Sequence, residues 1–104
     1  MLFEWDEKKR QANLAKHLID FADAVRIFEG PVFEKLQRRN GEHRVLAVGL
    51  LGDVEIVVIY AMRGQYRRLI SARRANRNER QDYANQLKAA DQRRNQPQAP
   101  PRHA

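Results

Sequence analysis

Residues 63–80, RGQYRRLISARRANRNER, hold seven arginines (Arg63, Arg67, Arg68, Arg73, Arg74, Arg77, Arg80) against one acid, Glu79, and so net +6. Guanidinium groups stay charged at physiological pH and grip phosphate oxygens in a planar fork. Clustered in this way they make a local field suited to a polyanion. Side-chain alternation on a strand over 66–74 sets Arg68, Ile70 and Ala72 on one face, and Arg67, Leu69, Ser71 and Arg73 on the other. Arg73 and Arg74 then stand just before a helix start, whose free N–H groups attract phosphate. Arg67 or Arg68, together with Arg73 and that helix start, can hold a phosphodiester and stabilise the charge added in its transition state. The plainer use of the same arginines is salt bridging to the first part of the chain, where residues 1–62 net −1. Arg77 and Arg80 fall on an exposed helix face.

Proton carriers are few. His17 and His43 are the histidines within the predicted elements, and His103 lies in the tail. A histidine can give or take a proton near neutral pH. His17 also suits the C-terminal end of a helix, where the dipole favours positive charge. His43 opens a strand beside Glu42 and Arg44. Glu79 and Tyr83 share a helix face one turn apart. Glu79 reads first as a helix cap and Tyr83 first as a packing residue. The chain has no Gly-rich phosphate loop, no HExxH and no cysteine. These absences remove disulfides and thiolate metal sites, so no cofactor and no metal are expected.

The composition bounds the rest. With 104 residues and 42% hydrophobic content, the chain suits one domain with a modest core. The absence of cysteine fits a reducing cytoplasm. The opening MLFEWDEKKR is too acidic for a signal peptide. The apolar run from Val54 to Met62 is too short to span a bilayer. The expectation is a small soluble cytoplasmic domain over residues 1–90, followed by a disordered, basic and Pro-rich tail over 91–104.

The predicted elements follow from period and punctuation. Leu2–Trp5 suits a strand. Asp6 caps a helix over 6–17, whose thin apolar face is Ala12, Leu14, Ala15 and Leu18. Asp20 caps a second helix over 21–29 with a stripe of Phe21, Ala24, Val25 and Phe28, and Gly30-Pro31 ends it. A short strand begins near Val32–Leu36. Asn40-Gly41 is a turn. His43–Leu51 alternates, with Val45 and Ala47 on one face and Leu46, Val48 and Leu50 on the other. Gly52-Asp53 turns into Val54–Met62, apolar enough on both faces for a central strand. Arg63-Gly64-Gln65 turns into Tyr66–Arg74. Asn76 and Glu79 make a capping box for a last helix to about Ala90. The fold class is α+β: two N-terminal helices on a twisted antiparallel β-sheet, plus a C-terminal helix. The sheet edge, or the Arg67–Arg74 strand, suits an extended partner segment.

Three blocks of the chain stand in a telling order. The first is Phe3-Glu4-Trp5-Asp6 with Lys9, Asn13, Lys16-His17, Phe21, Ala24 and Phe28. The second is Glu42, Arg44 and Gly49 in GEHRVLAVG. The third runs from Arg68 through Arg73 and Ala75 to Glu79 and Tyr83. In these blocks the chain resembles BrnT-type toxins, over residues 2 to about 85. It departs where Leu18 stands in place of a glycine after Lys-His, and where Gly30-Pro31 replaces Asp-Pro.

The resemblance implies a RelE-like fold and a metal-independent ribonuclease that stops translation, its substrate RNA being free or on the ribosome. It implies neutralisation by a BrnA-type antitoxin in a hetero-oligomer, with promoter DNA bound through that antitoxin. In that frame Arg68, Arg73, His17 and Glu79 are the candidate catalytic residues. Lys16, Arg67, Arg74 and Tyr83 are the candidates for RNA contact. The alternative is a non-catalytic basic protein acting as corepressor with a DNA-binding antitoxin.

Overall fold

Three tight turns set the sheet. Asn40 and Gly41 both take positive φ (52° and 76°), as a hairpin of the favoured twist requires, and Gly52 and Gly64 sit at 62° and 59°. They join β2 (Phe33–Arg39), β3 (Glu42–Leu51), β4 (Val54–Arg63) and β5 (Tyr66–Arg74) into a meander. Ahead of them come β1 (Leu2–Glu4), α1 (Glu7–His17), α2 (Phe21–Ala24) and a 3₁₀ turn (Val25–Glu29); α3 (Arg77–Asn95) follows. The computed structural model describes residues 1–95. Spatial order in the sheet is β1-β5-β4-β3-β2, so β4 is central, as its two apolar faces predict.

The expectation of a wholly antiparallel sheet is corrected at one edge. β1 pairs with β5 in parallel, Leu2 beside Tyr66 and Glu4 beside Arg68. No local signal encodes that direction, because the two strands lie at opposite ends of the domain sequence.

Two apolar layers hold the sheet. Between it and α1–α2 lie Phe21, Ala24, Ile27, Ala47, Ile56, Val58, Tyr60, Leu69 and Ala72, all buried. On the other face Leu46, Val48, Val57, Ala75 and Tyr83 are covered by α3. Burying these side chains supplies the main driving force for the fold.

The second helix differs from the prediction. Only Phe21–Ala24 is α-helical, and the chain then tightens to 3₁₀. Three residues per turn align Phe21, Ala24 and Ile27 toward the sheet, so Ile27 joins the buried stripe while Val25 and Phe28 pack beside it. Gly49 makes this approach possible: a Cβ there would lie 2.9 Å from Ile27 Cβ.

The first helix is correct in extent and cap, with Asp6 accepting from Lys9 N–H at 3.1 Å. Its buried face is not the predicted one. Leu14 and Leu18 are exposed, Leu18 at 83%, and Asn13 is buried instead. Leu18 takes the left-handed cap position, at φ 60°, where glycine is ordinarily preferred. α3 runs to Asn95, so residues 91–95 are helical rather than part of a disordered tail; the remainder of that expectation, 96–104, lies outside the described residues.

Candidate active site

β5 carries the arginines, and one irregularity decides where they point. Its register with β4 shifts between Ile59 and Tyr60: Ile59 faces Ser71, whereas Tyr60 faces Leu69. Ile70 is therefore an extra residue, a β-bulge, and the alternation of side chains inverts across it. Leu69 and Ala72 both enter the core beneath α1–α2. Directly opposite residues share a face, so Arg73 beside Val57 and Ser71 beside Ile59 lie on the α3 side. Arg68, beside Ala61, lies on that side too. The strict alternation predicted from sequence is thus corrected. Arg68, Ser71 and Arg73 share one face, and Arg67 lies on the other.

The bulge is clamped from outside. Beyond Glu4 no strand among the described residues covers the outer edge of β5, and α1 takes that place. The Asn13 amide donates to Ala72 C=O at 2.9 Å and accepts from Ala72 N–H at 3.1 Å, the two bonds that a neighbouring strand would make. It also donates to Ile19 C=O at 3.0 Å. This satisfies backbone groups that are costly to bury unpaired. It explains why α1 buries an amide and leaves its leucines in solvent: the helix sits on a strand edge rather than on an apolar face.

Arg73 is fixed at the junction of β5 and α3. Its Nη1 and Nη2 donate to the two Glu79 carboxylate oxygens, both at 2.8 Å. Glu79 also accepts from Asn76 N–H, while Asn76 Oδ1 accepts from Glu79 N–H, each at 2.8 Å. This is the predicted capping box. Arg73, foremost, holds the Glu79 carboxyl below its usual range, and the same contact raises the guanidinium further. Glu79 is therefore an ionised cap with its oxygens engaged, a poor general base. Its grip on the end of the guanidinium leaves the Nε–H of Arg73 and one Nη2 hydrogen free, a side-on fork able to take phosphate.

Arg68 is held more loosely, 3.7 Å from Glu4 on β1. Such partly exposed pairs contribute little and exchange readily for another anion. Arg63 lies 4.0 Å from Glu42. The salt-bridge reading of the arginine segment is thus realised in part, with partners from the acidic first part of the chain.

The other sequence candidates divide. Lys16 and His17, at the end of α1, flank a shallow depression floored by Ile70 and Ser71 beside the bulge, with Lys9 on the same rim. They stand next to the Arg68–Ser71–Arg73 face without being part of it. Arg74 and His17 border a second depression with Leu51 and Val54, on the α1–α2 side. Arg67 is apart from all of these. Its guanidinium lies 5.6 Å from the Phe28 ring centre and 5.4 Å from that of Tyr60, a cation–π contact with both rings, and its Nε is buried. Tyr83 is 3% exposed and donates to Pro31 C=O at 2.9 Å, which leaves no open ring face for a base.

Sequence reasoning missed two residues here. Ser71 lies between the two arginines only because of the bulge. Asn13 gave one sign, a polar residue between Ala12 and Leu14 in the middle of a helix.

Comparison with known proteins finds relatives of the chain in sequence and in structure. Residues 5–79 match the family model described as "Ribonuclease toxin, BrnT, of type II toxin-antitoxin system". A crystal structure at 1.1 Å of the Brucella abortus ribonuclease toxin, BrnT, is 35% identical, with a TM-score of 0.59, over 74% of this chain and 99% of that one. No curated protein matches the chain.

Proposed function

Because the chain belongs to the BrnT family of ribonuclease toxins of type II toxin–antitoxin systems, we propose that it cleaves RNA on the sheet face of Arg68, Ser71 and Arg73, without a metal ion. The ribose 2′-oxygen attacks the adjacent phosphorus as its proton leaves to a base. The O2′–P bond forms, the P–O5′ bond breaks, and the departing 5′-oxygen takes up a proton. The products are a 2′,3′-cyclic phosphate and a 5′-hydroxyl end.

Each residue has a part that its position supports. The open fork of Arg73 takes two phosphate oxygens, and Glu79 fixes its direction in advance of binding. Arg68 leaves Glu4 for the negative charge that builds on the phosphorane. Lys16 contacts the strand from α1, and His17 beside it carries a proton. Translation stops because messenger RNA is cut in the cytoplasm, and a BrnA-type antitoxin relieves the arrest and carries the complex to promoter DNA.

One observation carries this reading: the bulge at Ile70 brings Arg68, Ser71 and Arg73 to one face, beside the end of α1. The test is induced expression of the wild type and of Arg73→Ala, followed by growth and total RNA. The wild type arrests growth and cuts RNA, and purified Arg73→Ala is slower by roughly 10²–10³-fold. Undiminished cleavage by Arg73→Ala removes that residue from the mechanism.

A second reading has its own support. Arg73 is already bound at two atoms by Glu79 and Arg68 already faces Glu4, so the charge of each has an internal counterpart without RNA. A non-catalytic corepressor fits that state. It predicts no cleavage by soluble wild type and weaker antitoxin binding by Arg73→Ala.

A further inference from the structure

The two edges of the sheet are unlike. At one, β1 covers only the start of β5, and the Asn13 amide occupies the edge beyond it. The Arg67–Arg74 strand is therefore not open to an extended partner, which leaves the sheet edge of the two places that the sequence offers for one. At the other edge β2 runs seven residues in unbroken antiparallel register with β3. Among the described residues no element pairs with its outer side. Past Phe33 every residue of β2 is exposed, Leu36 at 82%.

A long unpaired edge is a template for strand addition, and proteins ordinarily blunt one by brevity, a bulge, a proline or charge. β2 has neither bulge nor internal proline. Its charge is lopsided, Lys35, Arg38 and Arg39 against Glu34. That pattern repels a second copy of the same strand and attracts an acidic one. Where β2 begins, an apolar groove opens between it and α3, lined by Val32, Phe33, Leu87 and Ala90, with Arg93 on its rim. A strand laid along β2 would project alternate side chains on the α3 side, within reach of this groove.

We propose that the outer edge of β2 docks an extended acidic segment of a partner protein, which adds a sixth strand and seats an apolar side chain beside α3. Main-chain hydrogen bonds supply the affinity and the basic residues and groove the selectivity. Membership of a type II system makes the antitoxin that partner; nothing in the docking requires RNA cleavage. β3 and β4 separate β2 from β5, so the outer edge of β2 lies across the sheet from the arginines, while Lys35 and Gln37 share a depression with Glu79 on the α3 side.

The experiment is hydrogen exchange on the full chain, alone and in complex with its antitoxin, joined to binding measurements on an Arg38→Glu/Arg39→Glu variant. Amides within residues 33–39 slow in the complex, and the variant binds antitoxin roughly tenfold more weakly or worse. RNA cleavage by the free variant is unchanged. If the wild type cuts no RNA, the ribonuclease reading falls while exchange and binding still decide the docking. A complex that leaves the β2 amides unslowed overturns the proposal. So does slowing in the free chain that grows with protein concentration, which makes a second copy the occupant. Loss of RNA binding with antitoxin binding intact assigns the basic strand to nucleic acid and overturns it equally. If the variant does not fold, the wild-type exchange map decides.

Discussion

Glu79 shows how one side chain can serve stability and site together. Its carboxylate accepts from Arg73 at both oxygens and from the Asn76 N–H, so it caps α3 and aims a guanidinium with the same atoms. Those donors favour the charged form and lower its pKa from the usual 4.5. A depressed carboxyl contributes stability that is fully present above its unfolded pKa and is lost as pH falls through the folded value. Glu79→Gln should therefore melt below the wild type at neutral pH, and the gap should close as pH drops below about 4.5. Thermal melts of both proteins across that range measure it. A gap that stays constant would mean that the ionised carboxylate is not what holds the junction.

At the scale of elements, the decisive contact is α1 against the edge of β5. Asn13 supplies both bonds of a missing strand at Ala72, two residues after the bulge that orients Arg73. Asn13→Asp keeps the shape but loses the donor to Ala72 C=O and Ile19 C=O, and it buries a charge. The expected cost is about 2–4 kcal/mol in urea unfolding. Cleavage by the folded fraction should fall as well, because the edge that pins the bulge is released. Full activity per folded molecule would show that Asn13 only stabilises the protein. The length and cap of α1 were legible in its sequence. Its orientation was not, since Ala72 stands 59 residues away in the chain.

Across the whole molecule, the +6 segment is less exposed as charge than its sequence suggests. Arg63, Arg68 and Arg73 face Glu42, Glu4 and Glu79, and Arg67 lies over two aromatic rings. Binding of an uncleavable 2′-deoxy oligonucleotide should reflect only the groups turned to the strand: Arg68, Arg73 and Lys16. At roughly 0.7 per phosphate contact on a single strand, the slope of log K against log salt should be about −2. Engagement of all seven arginines would give about −5, and a slope that steep would replace the single-face site with a diffuse one. Among the described residues no helix is long and apolar enough to cross a membrane.

The sequence by itself determined whatever depends on neighbours in the chain. The turns at Asn40-Gly41, Gly52 and Gly64, the caps at Asp6, Asp20 and Asn76, the central place of β4 and the arginine-rich strand all follow from local conformational preference and hydrophobic period. Only the tertiary structure decided the parallel pairing of β1, the inward turn of Asn13, and the bulge that moved Arg68 and Arg73 to one face and Arg67 to the other. The first two are hydrogen-bond requirements of a strand edge met by a distant segment, and the third is a shift in strand pairing. Side-chain alternation is counted from register, and one extra residue inverts every position beyond it.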